Sequence, residues 1–213
     1  MARTTDATGP GLAGAVGSGK KQHVDLWRKL RLRQRLLAQA WPGAVYVPFI
    51  GDGDIAAELY AGRRIYGADR DPERVASAQR RLPGAVLEVA DCDRWPFAGL
   101  LERFAVADFD AYGNPYLSLD AFWGQARKAD RVVLFGTDGL RQMLKRKRAV
   151  TELPAGQALP AEGNQWRQWY NFWWPQHVRP WLTERLSPWE IIQESKYTRG
   201  SQLYWGLVVE RRG

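Results

Sequence analysis

"VYVPFIGDGDIA" occupies Val45–Ala56, and its reading decides the fold. An apolar, β-rich run ends at Pro48-Phe49. Two glycines then alternate with aspartates, and a helical apolar period begins at Asp54. The stretch predicts a strand over 44–49, a tight turn, and a helix over 54–62. Gly51 and Gly53 lack Cβ, so the backbone there can turn sharply and approach a ligand closely. The pattern then repeats. "RRIYGA" (63–68) predicts a strand and "DPERVASAQRRL" (71–82) a helix. "GAVLEV" (84–89) and "ERFAVADF" (102–109) predict two more strands. A helix over 118–129, a strand over 130–136 and a helix over 140–148 follow. Such alternation means α/β architecture with a doubly wound parallel sheet. The end of the chain differs: "WEIIQES" and "QLYWGLVVE" flank "TRGS", which predicts a closing antiparallel hairpin.

Upstream, residues 1–20 are Gly/Ala/Thr-rich and predict a disordered tail, leaving 21–213 as a single domain. "GAVGSGKK" has the spacing of a phosphate-binding loop, but Lys21 stands where the magnesium-holding Ser/Thr belongs and no strand precedes it. Residues 21–41 predict a basic helix, with Leu26, Leu30, Leu37 and Trp41 on one face and Arg28, Arg31 and Arg35 on another. Those arginines are candidate phosphate contacts. A Trp-rich helical insertion is expected over 165–186, where Trp166, Trp169 and Trp173 form a stripe suited to stacking on unpaired bases or to core packing.

The net charge of +8 over 213 residues favours a polyanionic partner, nucleic acid before membrane. No apolar run approaches the ~20 residues of a membrane span. With one cysteine and two histidines, neither an intrachain disulfide nor a Cys/His zinc site is expected, so no metal is assigned. Cytoplasmic residence is the expectation.

In an open α/β sheet, ligands bind beyond the carboxyl ends of the strands. Four successive strand ends here carry acids: "PFIGDGD", then Asp69-Arg70-Asp71, then Asp91-Cys92-Asp93, then "ADFDAYGNPY" (107–116). Asp69 stands 18 residues after Gly51, near the ~20 of a nucleoside-binding βαβ unit, and is placed to accept from a ribose diol. "GDGDIA" also satisfies the tolerated G-x-G-x-x-A form of a dinucleotide turn, but the terminal hairpin and the acids after the third and fourth strands favour a different use.

"VYVPFIGDGDIA" resembles the first motif of class I S-adenosylmethionine-dependent methyltransferases, nearest to the form in enzymes that methylate nucleobase amines. "IYGADRDPERV" and "VLEVADCDRWPF" resemble the second and third motifs. The resemblance implies a Rossmann-like fold, with a mostly parallel seven-stranded sheet and a C-terminal antiparallel hairpin. It implies S-adenosylmethionine as cofactor, held by Pro48, Phe49, Ile50, Gly51, Asp52, Gly53, Asp69, Arg70, Asp91, Cys92, Asp93 and Asp108. One departure is Val47, where an acid commonly precedes the "PF" pair; Asp52 and Asp54 are the nearby replacements.

"ADFDAYGNPY" resembles the corresponding segment of tRNA guanosine N2-dimethyltransferases, with Ala111 and Tyr112 departing from that pattern, and "VVLFGTDGLRQ" resembles a later one. The resemblance implies a catalytic set of Asp108, Asp110, Tyr112 and Asn114. An acceptor on the amine N–H groups localises the nitrogen lone pair for in-line attack, and an aromatic ring fixes the base plane. The expected function is N-methylation of an exocyclic base amine in nucleic acid, RNA before DNA. A methyltransferase of small molecules or proteins, and a silent nucleic-acid-binding module, are the alternatives.

Overall fold

The computed structural model describes residues 26–111, 113–140, 172–200 and 202–213. The predicted tail, the helix over 141–148 and the stripe positions Trp166 and Trp169 lie outside these residues, as does Tyr112. The elements are α1 (Leu26–Leu37), β1 (Ala44–Pro48), α2 (Asp54–Leu59), β2 (Ile65–Asp69), α3 (Pro72–Arg81), β3 (Val86–Val89), β4 (Phe104–Phe109), α4 (Tyr116–Gln125) and β5 (Lys128–Asp138). A π-helical turn (Trp174–Val178) then runs into α5 (Arg179–Arg185), followed by β6 (Trp189–Arg199) and β7 (Gln202–Arg211).

The seven strands form one sheet in the order β3-β2-β1-β4-β5-β7-β6. β1 through β5 pair in parallel, and β7 runs antiparallel to both β5 and β6. β1 and β4 are buried on both faces, which is why they read as apolar runs, broken only by Asp108, rather than as alternations. On one face, Tyr46, Phe104 and Phe109 pack with Leu119 and Phe122 of α4, with Trp173 and with Leu182 of α5. On the other, Val45, Val47, Val106, Val133 and Phe135 pack with Leu36 of α1, Ala56 of α2 and Ala78 of α3.

Local chemistry sets the helix ends. The Asp71 side chain accepts from the backbone N–H of Glu73 at 2.9 Å, and Pro72 opens the helix without losing a bond. α4 stops four residues before the predicted end. Lys128 explains it: its Nζ donates to the carbonyls of Trp123 and Ala126 at 2.5 and 2.7 Å, satisfying groups the helix end leaves open.

α1 lies within the predicted 21–41 but ends at Leu37, and it buries a different face. Lys29, Leu32, Arg33 and Leu36 are the buried positions, whereas Leu26, Leu30 and Leu37 are half-buried and Trp41 is exposed beyond the helix. Two cations on a core-facing stripe need partners, and the end of β4 provides them.

Candidate functional site

The turn after β1 has the backbone its sequence demands. Phe49, Gly51 and Gly53 adopt φ of 61°, 55° and 81°. A Cβ on Gly53 would meet Ala78 of α3 at 3.2 Å, so this glycine lets α3 approach. A Cβ on Gly51 would sit in ordinary contact with Arg74 at 3.8 Å, so it is the positive φ rather than crowding that favours glycine there. Pro48 and Ile50 are buried beneath the turn, and Asp52 is half-buried.

Asp69 ends β2 beside this turn. Its Oδ2 accepts from the Gly51 N–H and its Oδ1 from the Asp71 N–H, both at 3.0 Å. Each oxygen keeps a lone pair for a further donor. The next strand end is tied to the same place by Arg70, whose Nη2 reaches Asp91 at 2.5 Å and Asp93 at 3.0 Å. The hydrogen bond from Arg70 holds the Asp91 carboxyl below its ordinary range. Cys92 is buried between them, and burial pushes its thiol up to about 11. The Cys92 Sγ faces the carbonyls of Ala68 and Ala90, so its side chain is packed rather than presented.

The end of β4 corrects one expectation. Asp108 and Asp110 do point the same way, as strand alternation predicts. However, Asp108 has no accessible surface. Its two oxygens accept from Arg33 Nε and Nη2, each at 2.7 Å, and Oδ2 also accepts from the Tyr60 hydroxyl at 2.7 Å. Burial opposes the Arg33 charge, but Asp108 beside it outweighs that and raises its pKa. Asp108 is therefore a packed partner of α1 and α2, without surface to offer a cofactor or an amine.

Asp110 remains at the rim, its side chain 17% exposed. Lys29 Nζ spans both its oxygens at 2.8 and 2.9 Å, and the Thr137 hydroxyl donates to Oδ1. Burial works against this carboxylate, but the charges of Lys29 and Arg33 and the Lys29 and Thr137 hydrogen bonds outweigh it, and its pKa is lowered. Lys29 also lies 5.5 Å from the centre of the Tyr204 ring, which stacks on Tyr197 at 4.7 Å. Asn114 turns its carbonyl oxygen onto the Tyr116 N–H at 2.9 Å and holds the start of α4. The loop after β4 is pinned to the loop after β5 by the Gly139 N–H on the Gly113 carbonyl at 2.8 Å.

The aromatic expectations divide. Trp173 is fully buried, its Nε1–H donating to Asp138 at 3.0 Å, so it packs the core and is not placed to stack on a base. Tyr116 is buried with it and donates to Asp138 at 2.6 Å. Arg28, Arg31 and Arg35 are all exposed on the outer side of α1. Among the described residues, no group of three His, Cys, Asp or Glu side chains is disposed to hold a metal, and no helix is long and apolar enough to cross a membrane.

The sheet order, the antiparallel β7 and the ligand-type strand ends decide the architecture. This is the Rossmann-like fold of class I methyltransferases. Magnesium protoporphyrin IX methyltransferase from Synechocystis PCC 6803, solved with bound SAH, superposes with a TM-score of 0.55 at 15% identity, over 92% of this chain and 90% of that one. N-methyltransferase NodS from Bradyrhizobium japonicum WM9 gives 0.54 at 11% identity, over 88% and 96%. The [4+2]-cyclase SpnF shares the fold too, at 0.51 and 11% identity over 86% and 80%, so chemistry has to be argued from side chains rather than from likeness. No protein-family model and no curated protein matches the sequence.

The residues the motif reading missed are Lys29, Arg33 and Tyr60. A signal existed: Lys29 and Arg33 stand four apart and share a face with Leu32 and Leu36. Charged residues inside an apolar stripe imply buried partners of opposite sign.

Proposed function

We propose that this protein is an S-adenosylmethionine-dependent methyltransferase acting on an exocyclic amine of a nucleic-acid base, RNA before DNA. The observation that carries the cofactor reading is the Asp69 carboxylate at the end of β2, which the Gly51 and Asp71 N–H groups hold with lone pairs to spare. An adenosyl group fits that donor set. Asp69 would take the ribose hydroxyls, the Gly51–Gly53 turn would pass close to the methionine portion, and Asp91 with the Arg70 guanidinium would border the adenine. When bound, the cofactor supplies a methyl group on a sulfonium, already an excellent leaving group.

The chain therefore needs to orient a nucleophile more than to deprotonate it. Asp110 suits that task. Lys29 and Thr137 occupy three of its roughly four acceptor positions, leaving one on Oδ2 for a substrate N–H. Its lowered pKa keeps it ionised, so it acts as a fixed acceptor and not as a proton sink. Asp108 supports it indirectly by anchoring α1 through Arg33. The nucleic-acid reading is supported by the exposed arginines of α1 and the +8 charge.

Titration calorimetry with S-adenosylmethionine and S-adenosylhomocysteine tests the cofactor reading. Asp69→Ala is expected to weaken binding by about 1.5–3 kcal/mol, the range for hydrogen bonds to a charged group. Absence of binding to the wild-type protein, or unchanged affinity in a folded Asp69→Ala variant, overturns it.

A further inference from the structure

α1 presents two chemically different faces. Inward, Lys29 and Arg33 hold Asp110 and Asp108. Outward, Trp27, Arg28, Arg31 and Arg35 are all exposed, Trp27 to 55%. Residues 26–51 contain no Asp or Glu, and no carboxylate lies in ion-pair range of these three arginines among the described residues. Some arginines elsewhere are paired with acids, Arg64 with Glu102 and Arg81 with Asp54, whereas Arg80 and Arg103 are exposed with no carboxylate in range among the described residues. The α1 track is distinguished by three arginines on one helix face with an aromatic ring beside them, the Arg28 guanidinium lying 5.0 Å from the Trp27 ring centre.

The spacing is regular. Positions 28, 31 and 35 fall three and four apart, so they share one helix face. At a rise of about 1.5 Å per residue they spread their guanidinium groups over about 10 Å. An exposed indole at the end of such a row offers a stacking surface to an unpaired base, whose π-face is available only off the duplex. The buried stripe of α1 is committed to the protein core at Leu32 and Leu36, so among its large apolar side chains only Trp27 is exposed to meet a lipid surface.

We infer that the outer face of α1 is the docking track for a single-stranded nucleic acid, with Trp27 stacking on a base and Arg28, Arg31 and Arg35 gripping successive phosphates. This rests on the nucleic-acid reading above and extends it. The track lies directly outside the candidate site, because Lys29, next to Arg28, spans the Asp110 carboxylate. A nucleotide displaced from the strand held on the track enters the rim where Asp110, Thr137 and the Tyr197–Tyr204 pair converge.

Fluorescence anisotropy with labelled mixed-sequence oligonucleotides tests it, using single-stranded RNA, single-stranded DNA, duplex, and vesicles containing phosphatidylserine. The wild-type protein is expected to bind the single strands more tightly than the duplex, with affinity falling as salt rises. Removing three phosphate contacts from a single strand flattens the log–log salt slope by about 2. Arg28→Glu/Arg31→Glu/Arg35→Glu should therefore weaken binding tenfold or more and flatten that slope. Trp27→Ala should weaken single-strand binding and leave the slope unchanged. Arg80→Glu/Arg81→Glu on α3 serves as the charge control and should bind as wild type. Melting curves and cofactor titration establish that each variant is folded. Wild-type binding that survives the triple substitution sinks the track while sparing the nucleic-acid reading. No oligonucleotide binding at low salt by a protein that still binds cofactor sinks that reading as well. Equal affinity for duplex, or binding to vesicles alone, also overturns the proposal.

Discussion

Arg33→Met isolates the contact on which the position of α1 depends. In the wild-type protein the Arg33 and Asp108 side chains are each 1% exposed, and the guanidinium meets the carboxylate with two bonds of 2.7 Å. Methionine fills much of the same volume but leaves a carboxylate in the core with Tyr60 as its donor. Breaking a buried pair from one side costs about 3–5 kcal/mol, because the remaining charge is uncompensated. For a chain of this size, a loss of that order lowers the melting temperature by roughly 6–20 °C. Urea unfolding followed by tryptophan fluorescence measures it, with an unchanged m-value as the sign that the native fold persists. Arg33→Met/Asp108→Leu should recover a substantial part of the loss, since the second change removes the stranded charge. A loss below about 1 kcal/mol in Arg33→Met would have the magnitude of a solvent-screened surface pair and would refute the docking of α1 on β4 described above.

Asp110→Asn should cut single-turnover methyl transfer by about 10²–10³-fold with cofactor affinity unchanged, once a substrate is in hand; full activity would remove Asp110 from the site. Asp110 also predicts a pH dependence. A carboxyl with a lowered folded pKa contributes stability that is complete above its unfolded value of about 3.9 and is lost as pH falls through the folded value. Urea midpoints taken from neutral pH down into that acid range should therefore fall more in wild type than in Asp110→Asn. Cys92, buried and with its thiol raised to about 11, should resist iodoacetamide at pH 8 in the native protein and react on unfolding. Rapid native alkylation, followed by mass spectrometry, would contradict its placement. Trp173→Phe should cost about 1–3 kcal/mol in unfolding free energy, because it removes the indole N–H that donates to buried Asp138.

The sheet was legible because local rules and global fold agree along most of the chain. β1 is a short, unbroken apolar run and β4 is interrupted only by Asp108, as suits doubly buried strands, and the glycines after β1 sit at positive φ. Asp71-Pro72 marks a helix start by capping and fixed φ alone. The strand ends follow from the same reading, since a parallel sheet delivers all its carboxyl ends to one side. That is how Gly51, Asp69 and Asp91 could be grouped before any coordinates.

What the sequence determined by itself, then, was the set of strand ends and the acids they carry. Their division of labour was decided by tertiary structure. Asp108 and Asp110 are chemically the same residue two positions apart, one inside the end of β4 and the other just past it. One is sealed by Arg33 and Tyr60, and the other is left at the rim under Lys29 and Thr137. Those partners lie 75, 48, 81 and 27 residues away in sequence, so no local window contains them. The same holds for Trp173, whose helical spacing fits a stacking surface and a core equally well until Tyr116 and Asp138 close against it. Periodicity reports which residues share a face. Whether that face meets water, a ligand or the core depends on what the rest of the chain brings against it.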